Sequence, residues 1–545
     1  MTSPAIPAPP PTGVDVEVPP LAEPKPPRWR RLPWTGLALA CVVAFGVVAR
    51  FVAYSNLWLD EALTVNISGL PLGDIPDALR HDGSPPLYYV ILHFWMDLFG
   101  SSTVTVRALS GLFSVACLPL AWRVGLRLGG RTAATAVLVL LALSPFAVQY
   151  ATEARMYSLG MFLVLAGGLA LANLYERRSP ALSAAVAGLT GALLLTHYYA
   201  LYTVAAAGAL LLWMAWRGEE RAAARRCLVA LVAGGLLFLP WVPIFLFQAA
   251  HTGAPWGSSG RGLRTVIDTL AVLVSGYRDA GPAPLLLAVG LIALAVFGRA
   301  VGRRRFEIDL IGREPARTLA LLTFGGLLLA VLVSKLTGQA YVPRYASIAF
   351  PGVIILLALG VASFADARIR VVALAVLAGL GVAGIQPIMA YERTQASSVA
   401  AHLAESARAG DVVAYCPDQL GPSVRRLLPE DLGVTHLTYP RAGDPAFVDW
   451  VDYAETIRAT PPLPFAQMLL DRAGPDNNVW LVWSVGYKSF GKRCEQLLHA
   501  LGGYRHWGDH VKIHWWSPEK LGLIRFDSGA RSGLYPPRCS YPPGC

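Results

Sequence analysis

Two adjacent carboxylates, Asp60 and Glu61, follow the first long apolar run of the chain, in LWLDEALTVNISGL. A carboxylate so placed can accept a proton from a hydroxyl group. Residues able to complete such chemistry recur at apolar boundaries downstream. His81 and Asp82 stand in RHDGSPPLYY, and Glu153, Arg155 and Tyr157 in QYATEARMYSL. His197 stands with Tyr198 and Tyr199 in LLTHYYALY; Lys335, Arg344 and Tyr345 stand in SKLTGQAYVPRYAS. Arg50 precedes Asp60 by two to three helical turns. Guanidinium groups hold phosphate oxygens by paired hydrogen bonds, and aromatic rings can stack on a sugar or line the path of a lipid tail.

For these groups to act together, one fold must gather them, and the composition says which kind. The chain has 545 residues, is 54% hydrophobic and only 15% charged, against about 25% charged in soluble domains. Apolar runs of roughly twenty residues, long enough to cross a bilayer as helices, recur from Trp34 to Ala390. That is the pattern of a polytopic α-helical membrane protein. The net charge of +11 does not point to nucleic acid. Most Arg residues cluster in short loops between apolar runs, as in cytoplasmic loops, not along a phosphate-tracking face.

Residues 1–33 are Pro-rich and read as a disordered cytoplasmic N-terminus, with Lys25, Arg28, Arg30 and Arg31 marking the side. No cleavable signal peptide is visible. Residues 34–390 form the membrane region. The Arg loops set its direction of travel. The run from Thr103 to Leu126 ends at Arg123, Arg127 and Arg131, so it travels inward from the face that carries Asp60. The short segment 85–100, with His93 and Asp97, then has to be interfacial or re-entrant and not a crossing. Spans follow near 34–55, 103–126, 131–149, 155–174, 181–197, 199–216, 228–247, 284–299, 318–336, 346–364 and 370–389. About eleven crossings put the C-terminal region outside.

Residues 391–530 mix charge and polarity and read as an extracytoplasmic α/β domain, and 531–545 as an extended tail. Strands are expected at DVVAYCP, VTHLTYP, NNVWLVWSVGY and HVKIHWWSP, and helices at SVRRLL and GKRCEQLLHALGG. The Trp-rich strands read as core packing. Cys41, Cys117 and Cys227 lie in or beside apolar runs and read as packing residues. Cys416, Cys494, Cys539 and Cys545 can form disulfides outside the cytoplasm, Cys539–Cys545 being the easiest loop to close. No CxxC or similar metal-ligand spacing occurs, and the sequence names no cofactor.

Several residues admit two readings. Asp60 and Glu61 are a site or a solvated boundary, and neighbours on a helix point about 100° apart, so both need not face one place. Asp82 is a site residue or turn chemistry before Gly83. Glu153 and Arg155 are a site or a structural ion pair. Arg50 binds substrate or snorkels to the interface, and His197 belongs to the site or to an aromatic belt. Arg107 is an anchor for the second span, Lys335 a boundary residue, and NIS at Asn66 a chance glycosylation pattern. The common feature is position: the unusual polar residues gather at the outer ends of spans, where charge is costly and tends to be functional or paired.

LWLDEALT, DGSPPLYYVILHFWMDLFGSS, the Arg of TVRALSGLFS, ATEARMYSL, THYYAL and PRYASIAFPGVIILL follow one another in an order that resembles bacterial GT-C membrane glycosyltransferases. The resemblance covers roughly 34–390 and is closest to the protein O-mannosyltransferase-like group, which is also similar to the aminoarabinose transferases of lipid A. It implies a polyprenyl-phosphate sugar donor, an extracytoplasmic acceptor, membrane lipids as surroundings, and inversion at the anomeric carbon. It implies that Asp60 is the general base, with Glu61 beside it. It implies that Arg344, with Tyr345, meets the lipid phosphate, and that Arg155 orients Glu153 or Asp60. Thr152 departs from the pattern, where such proteins often carry Gln. A transporter or flippase of lipid-linked sugars is the rival reading. Transporters tend to place polar, broken segments at the midplane, whereas here the span centres are Leu, Ala, Val and Gly.

Overall fold

The computed structural model describes residues 33–218, 220–253, 262–276, 281–302, 305–338 and 341–529. The Pro-rich N-terminus up to Leu32, the extended tail and the Cys539–Cys545 pairing expected from sequence lie outside them. Among the described residues, those from Val42 onward form one compact unit.

The membrane region is helical: α1 (Pro33–Ala49), α2 (Leu59–Ser68), α3 (Ile75–Asp82), α4 (Leu87–Phe99), α5 (Thr103–Ala142), α6 (Pro145–Ala151), α7 (Tyr157–Glu176), α8 (Pro180–Leu194), α9 (Ala200–Arg217), α10 (Arg221–Leu236), α11 (Val242–His251), α12 (Leu263–Ser275), α13 (Pro282–Phe297), α14 (Ala316–Thr337), α15 (Phe350–Ala362) and α16 (Ala367–Ala390). Local chemistry starts several of them. Ser102, Ser144 and Ser179 each accept an N–H of the following first turn, the usual N-cap device. Pro145 and Pro180 then occupy the first turn, where no N–H is needed.

Among the described residues, six stretches are long and apolar enough to cross a membrane: α5, α7, α9, Arg221–His251, α14 and α16. The chain is a multi-pass membrane protein. Gly36–Ala49, α4, α8, α13 and α15 are apolar but shorter. α5 is two arms and not one rod. Gly129 and Gly130 leave helical geometry, Gly130 at φ +66. A Cβ on Gly125 would stand 2.7 Å from the Cα of Ala134, positions about 13.5 Å apart along a straight helix. The chain therefore reverses where the sequence separates 103–126 from 131–149. Segment 85–100 becomes α4, 13 residues long, about 20 Å against a hydrocarbon core of about 30 Å. α2, α3, α12 and a hairpin of β1 (Gly298–Gly302) with β2 (Arg305–Ile308) had no counterpart in the reading of spans.

The C-terminal region is a five-stranded mixed sheet in the order β4-β3-β5-β7-β6. β3 (Val412–Cys416), β4 (Thr435–Thr438) and β5 (Val479–Trp483) are parallel. β7 (Gly522–Phe526) runs antiparallel to β5 and to β6 (Trp507–Val511). Every residue of β3 and β5 is buried, as expected for strands covered on both faces. Val413, Tyr415 and Trp480 pack with α17 (Ala396–Ser406) and α18 (Gly421–Arg425). Val412, Ala414 and Leu481 face α20 (Pro462–Ala473) and α21 (Arg493–Tyr504), beyond α19 (Tyr453–Ala459). Cys416 pairs with Cys494, tying β3 to α21.

Two expectations fail here. HVKIHWWSP is not a strand: β6 ends at Val511, and β7 was missed. Trp480 and Trp483 are core, but Trp515 and Trp516 are 55% and 79% exposed, because the chain leaves the sheet after Val511 and turns back toward the end of α16. There Glu519 donates its N–H to Arg393 at 2.8 Å.

The sheet domain sits on the loops that carry the candidate residues. α18 packs on α2. Trp450 donates its N–H to His81 at 3.0 Å, Asp452 to His251 at 2.9 Å, and the Asn66 amide to Ala446 at 2.7 Å.

Candidate active site

α2 opens with Leu59-Asp60-Glu61, and its geometry sends the two acids apart. Asp60 faces Arg344, which a 3-10 turn at Pro343–Ile348 carries in from 284 residues away. The Arg344 Nη1 lies 3.1 Å from the Asp60 Oδ2, and both side chains keep about a fifth of their surface open, 22% and 17%. The guanidinium also lies over the rings of Trp58 and Tyr345, at 5.7 and 5.8 Å.

Glu61 is fully buried. It takes two parallel bonds from Arg107, at 2.7 and 2.6 Å, and a third from the Ala154 N–H at 2.9 Å. The remaining Arg107 donors go to the carbonyls of Ser55 and Asn56, at 2.6 and 3.1 Å. Arg107 therefore does more than anchor a span. It locks the loop before α2, α2 itself and the 153–155 turn together.

That turn supplies the next residues. Arg155 bonds the Thr64 hydroxyl at 2.7 Å, the Tyr89 hydroxyl at 3.2 Å and the Asp60 carbonyl at 3.4 Å. Tyr89 donates to Asp82 at 2.8 Å, so Asp82 joins through a phenol. Asp82 also has its turn role, since Gly83 closes α3 at φ +87. Arg155 orients the backbone under Asp60 and not Glu153. Glu153 takes the Gln149 amide and faces Arg393, 3.9 Å away. Arg393 also holds the carbonyl and hydroxyl of Thr152, at 2.9 and 2.6 Å. Thr152, where the sequence departs from the pattern it resembles, is thus the seat of an arginine from beyond α16.

The rings form one wall. Tyr157 packs on Tyr150 at 4.6 Å and on His197 at 5.8 Å; Tyr345 lies 5.8 Å from His197 and 5.1 Å from Tyr199. The Tyr199 N–H donates to His197 Nδ1 at 3.1 Å, which leaves the ring proton on Nε2. Arg50 does not join them. Its donors go to Ser114 and to the carbonyls of Gly46, Leu141 and Ala142, at 2.6–2.9 Å, where it satisfies the carbonyl end of the second arm of α5. Lys335 is exposed in the last turn of α14.

Buried polar atoms without a partner among the described residues concentrate here. They include Trp58 Nε1, Arg155 Nε, the Tyr157 hydroxyl, His197 Nε2, Arg344 Nε and the Ser347 hydroxyl. Leaving a buried donor unsatisfied costs about 1–3 kcal/mol. A set of donors round two guanidinium groups, with an open carboxylate among them, can hold an oxyanion and accept a proton beside it. Sequence reading missed Trp58, Thr64, Tyr89 and Arg393. Trp58 stands two residues before Asp60, whereas Arg393 lies beyond the last apolar run and shares no motif with Thr152.

Residues 83–244 match the family described as dolichyl-phosphate-mannose-protein mannosyltransferase. Among curated proteins, no sequence matches the chain. Among solved structures, the fold is similar to ArnT from Cupriavidus metallidurans in the apo state, with TM-score 0.55 at 13% identity over 90% of this chain and 98% of that one. The same protein bound to undecaprenyl phosphate gives TM-score 0.53 at the same identity and coverage. The Saccharomyces cerevisiae Pmt1-Pmt2 complex bound to its sugar donor overlaps 39% of this chain and 33% of that one, at 18% identity and TM-score 0.32. The fold of this chain is thus similar to that of ArnT.

Proposed function

We propose that this chain is a membrane glycosyltransferase. It transfers a sugar from a polyprenyl-phosphate carrier to a hydroxyl acceptor outside the cytoplasmic membrane, and mannose is the sugar to try first. The observation that carries the reading is the Asp60–Arg344 pair ringed by buried donors that lack partners. The match of 83–244 to dolichyl-phosphate-mannose transferases and the likeness to ArnT support the donor class.

In this reading Asp60 takes the proton of the acceptor hydroxyl as its oxygen bonds to C1 of the sugar. The bond from C1 to the phosphate oxygen breaks, its electron pair leaves with the lipid phosphate, and the anomeric configuration inverts. The charge that grows on the phosphate needs cations and donors already in place. Arg344 and Arg155 supply the charge, and Tyr157, His197 and Trp58 supply further N–H and O–H groups. Tyr345 and Tyr199 wall the sugar or the first isoprene units. Glu61 holds the frame.

About eleven crossings, with the N-terminus in the cytoplasm and the sheet domain outside, put this site on the outer face. The Cys416–Cys494 disulfide favours an oxidising compartment for that domain.

The test is transfer from radiolabelled polyprenyl-phosphate mannose, with other donor sugars alongside, into a membrane extract by purified protein. Labelled product from the wild type and its loss in Asp60→Asn supports the enzyme. Undiminished transfer by Asp60→Asn removes Asp60 from the mechanism, and no transfer from any donor removes the reading.

A further inference from the structure

The helix that carries Asp60 has no cap of its own. The residue before it, Trp58, offers no side-chain acceptor, yet the first N–H groups of a helix need one. The acceptor comes from the other end of the chain. Glu519, 460 residues on, accepts the Leu59 N–H at 3.0 Å through Oε1. We propose that Glu519 is a positioning residue for Asp60: from the C-terminal domain, it caps the first turn of α2 and so fixes where the Asp60 carboxylate points. This rests on the role of Asp60 proposed above.

Glu519 is itself firmly held. It is 3% exposed. Its N–H donates to the Arg393 carbonyl at 2.8 Å, and its carbonyl accepts from Ser517 at 3.1 Å and from Gln395 at 3.4 Å. Arg393 in turn donates its N–H to Ser55 at 2.8 Å and its guanidinium to Thr152. A short hydrogen-bonded path thus runs from the end of α16, through Arg393 and Glu519, to the turn before Asp60. It gives the sheet domain a direct grip on the catalytic helix. Loss of a cap ordinarily frees the first turn, and that turn holds both Asp60 and the carbonyl that Arg155 reaches.

The groups round the Glu519 carboxyl are Asp60 on α2, Thr394, Ser423 and, in the loop after β5, Tyr487. Burial pushes the carboxyl up to about 8; the Leu59 N–H and the nearby Thr394 and Ser423 hydroxyls oppose this, and the Asp60 charge adds to it. At neutral pH Glu519 is therefore a neutral acid. It caps the helix through Oε1, and glutamine reproduces its shape, its charge and that acceptor.

The test compares Glu519→Ala and Glu519→Gln with wild type and Asp60→Asn. Three quantities are read: deuterium exchange of the Leu59–Glu61 amides, transfer rate at saturating donor, and affinity for undecaprenyl phosphate. Glu519→Ala should speed exchange in this turn and lower the rate about ten-fold, with affinity for the lipid phosphate unchanged. Glu519→Gln should restore exchange and rate. Unchanged exchange and rate in the alanine variant overturn the proposal, and so does a glutamine variant as slow as alanine. If the alanine variant does not fold, the glutamine variant decides alone: wild-type rate and exchange support the cap, and a slow rate at unchanged affinity overturns it. A fall in rate with Glu519→Ala but none with Asp60→Asn would reject the base role while leaving the cap in place. If no donor is turned over, exchange still decides the cap.

Discussion

Asp60 and Glu61 share one turn of helix and lie in opposite surroundings. Round Glu61 the bonding is closed: both carboxylate oxygens are taken, and each nitrogen of Arg107 donates to Glu61 or to a carbonyl. Round Asp60 it is open. One contact to Arg344 is made, and donors of Trp58, Arg155, Tyr157, His197 and Arg344 stand buried with no partner among the described residues. A closed network holds a frame; an open one is held ready for something else. Polarity and position along the sequence are the same for both acids, so only the state of the bonding separates the two roles.

The sharpest way to break this contrast is to remove each acid in turn. Asp60→Asn should lower the transfer rate about 10²- to 10⁴-fold, the usual worth of a general base, and leave the apparent melting temperature in detergent where it was. Glu61→Ala should do the reverse. It strands a buried guanidinium, which costs about 3–5 kcal/mol, and should show as a fall in melting temperature and in folded yield. Replacing both members, Glu61→Leu with Arg107→Met, should recover much of that loss, because an apolar pair leaves no buried charge uncompensated. A melting fall in Asp60→Asn as large as in Glu61→Ala would erase the distinction.

Arg344→Ala should cost the next largest amount, about 10²- to 10³-fold in rate, the range for removing one donor from a developing anion. Binding of undecaprenyl phosphate should weaken with it. A variant with full rate and full affinity would leave the open network without its main cation.

Much of this site is legible in the sequence, and the parts that are not share a cause. That Asp60 and Arg344 open onto one place follows from counting crossings by their Arg loops, and the distance of 3.1 Å agrees with it. Neighbours on a helix diverge by about 100°, so the sequence leaves open whether both acids face one place; the bonding of Glu61 to Arg107 turns it into the frame. Pairing across long separations leaves no mark in a local pattern. Arg393, Glu519 and Thr152 meet because α16 returns the chain beside the loop before α2, which no periodicity encodes. The same limit applies to Cys416 with Cys494. HVKIHWWSP alternates like a strand, but β7 takes the place beside β5 and leaves Trp515 and Trp516 in the open.

Arg50 gives a smaller effect of the frame kind. It spends its donors on three carbonyls and one hydroxyl. Arg50→Met should destabilise the protein by about 1–3 kcal/mol through the carbonyls left bare, with donor affinity unchanged. A fall in donor affinity would move Arg50 into the open network after all.

The smallest effect concerns a buried acid that is closed without a cation. Asp418, 3% exposed, is bonded by the Tyr453 hydroxyl and by the Gln419 N–H at 2.9 Å. Burial raises its carboxyl to about 7 against the pull of those bonds and of Arg441, with Asp449 adding to the rise. The sign follows. The folded chain keeps this proton up to about pH 7, while the unfolded chain gives it up near 4. Between those values the folded state binds more protons, so its stability falls as pH rises through the window. Glu61 differs in kind, since it meets a guanidinium. Protection of the β3 and β5 amides from exchange, corrected for intrinsic rates, should therefore decline from pH 5 to pH 8 in the wild type and decline less in Asp418→Asn. A variant with the wild-type slope would transfer the effect to other acids, with Glu519 the first to test, because it is raised in the same direction.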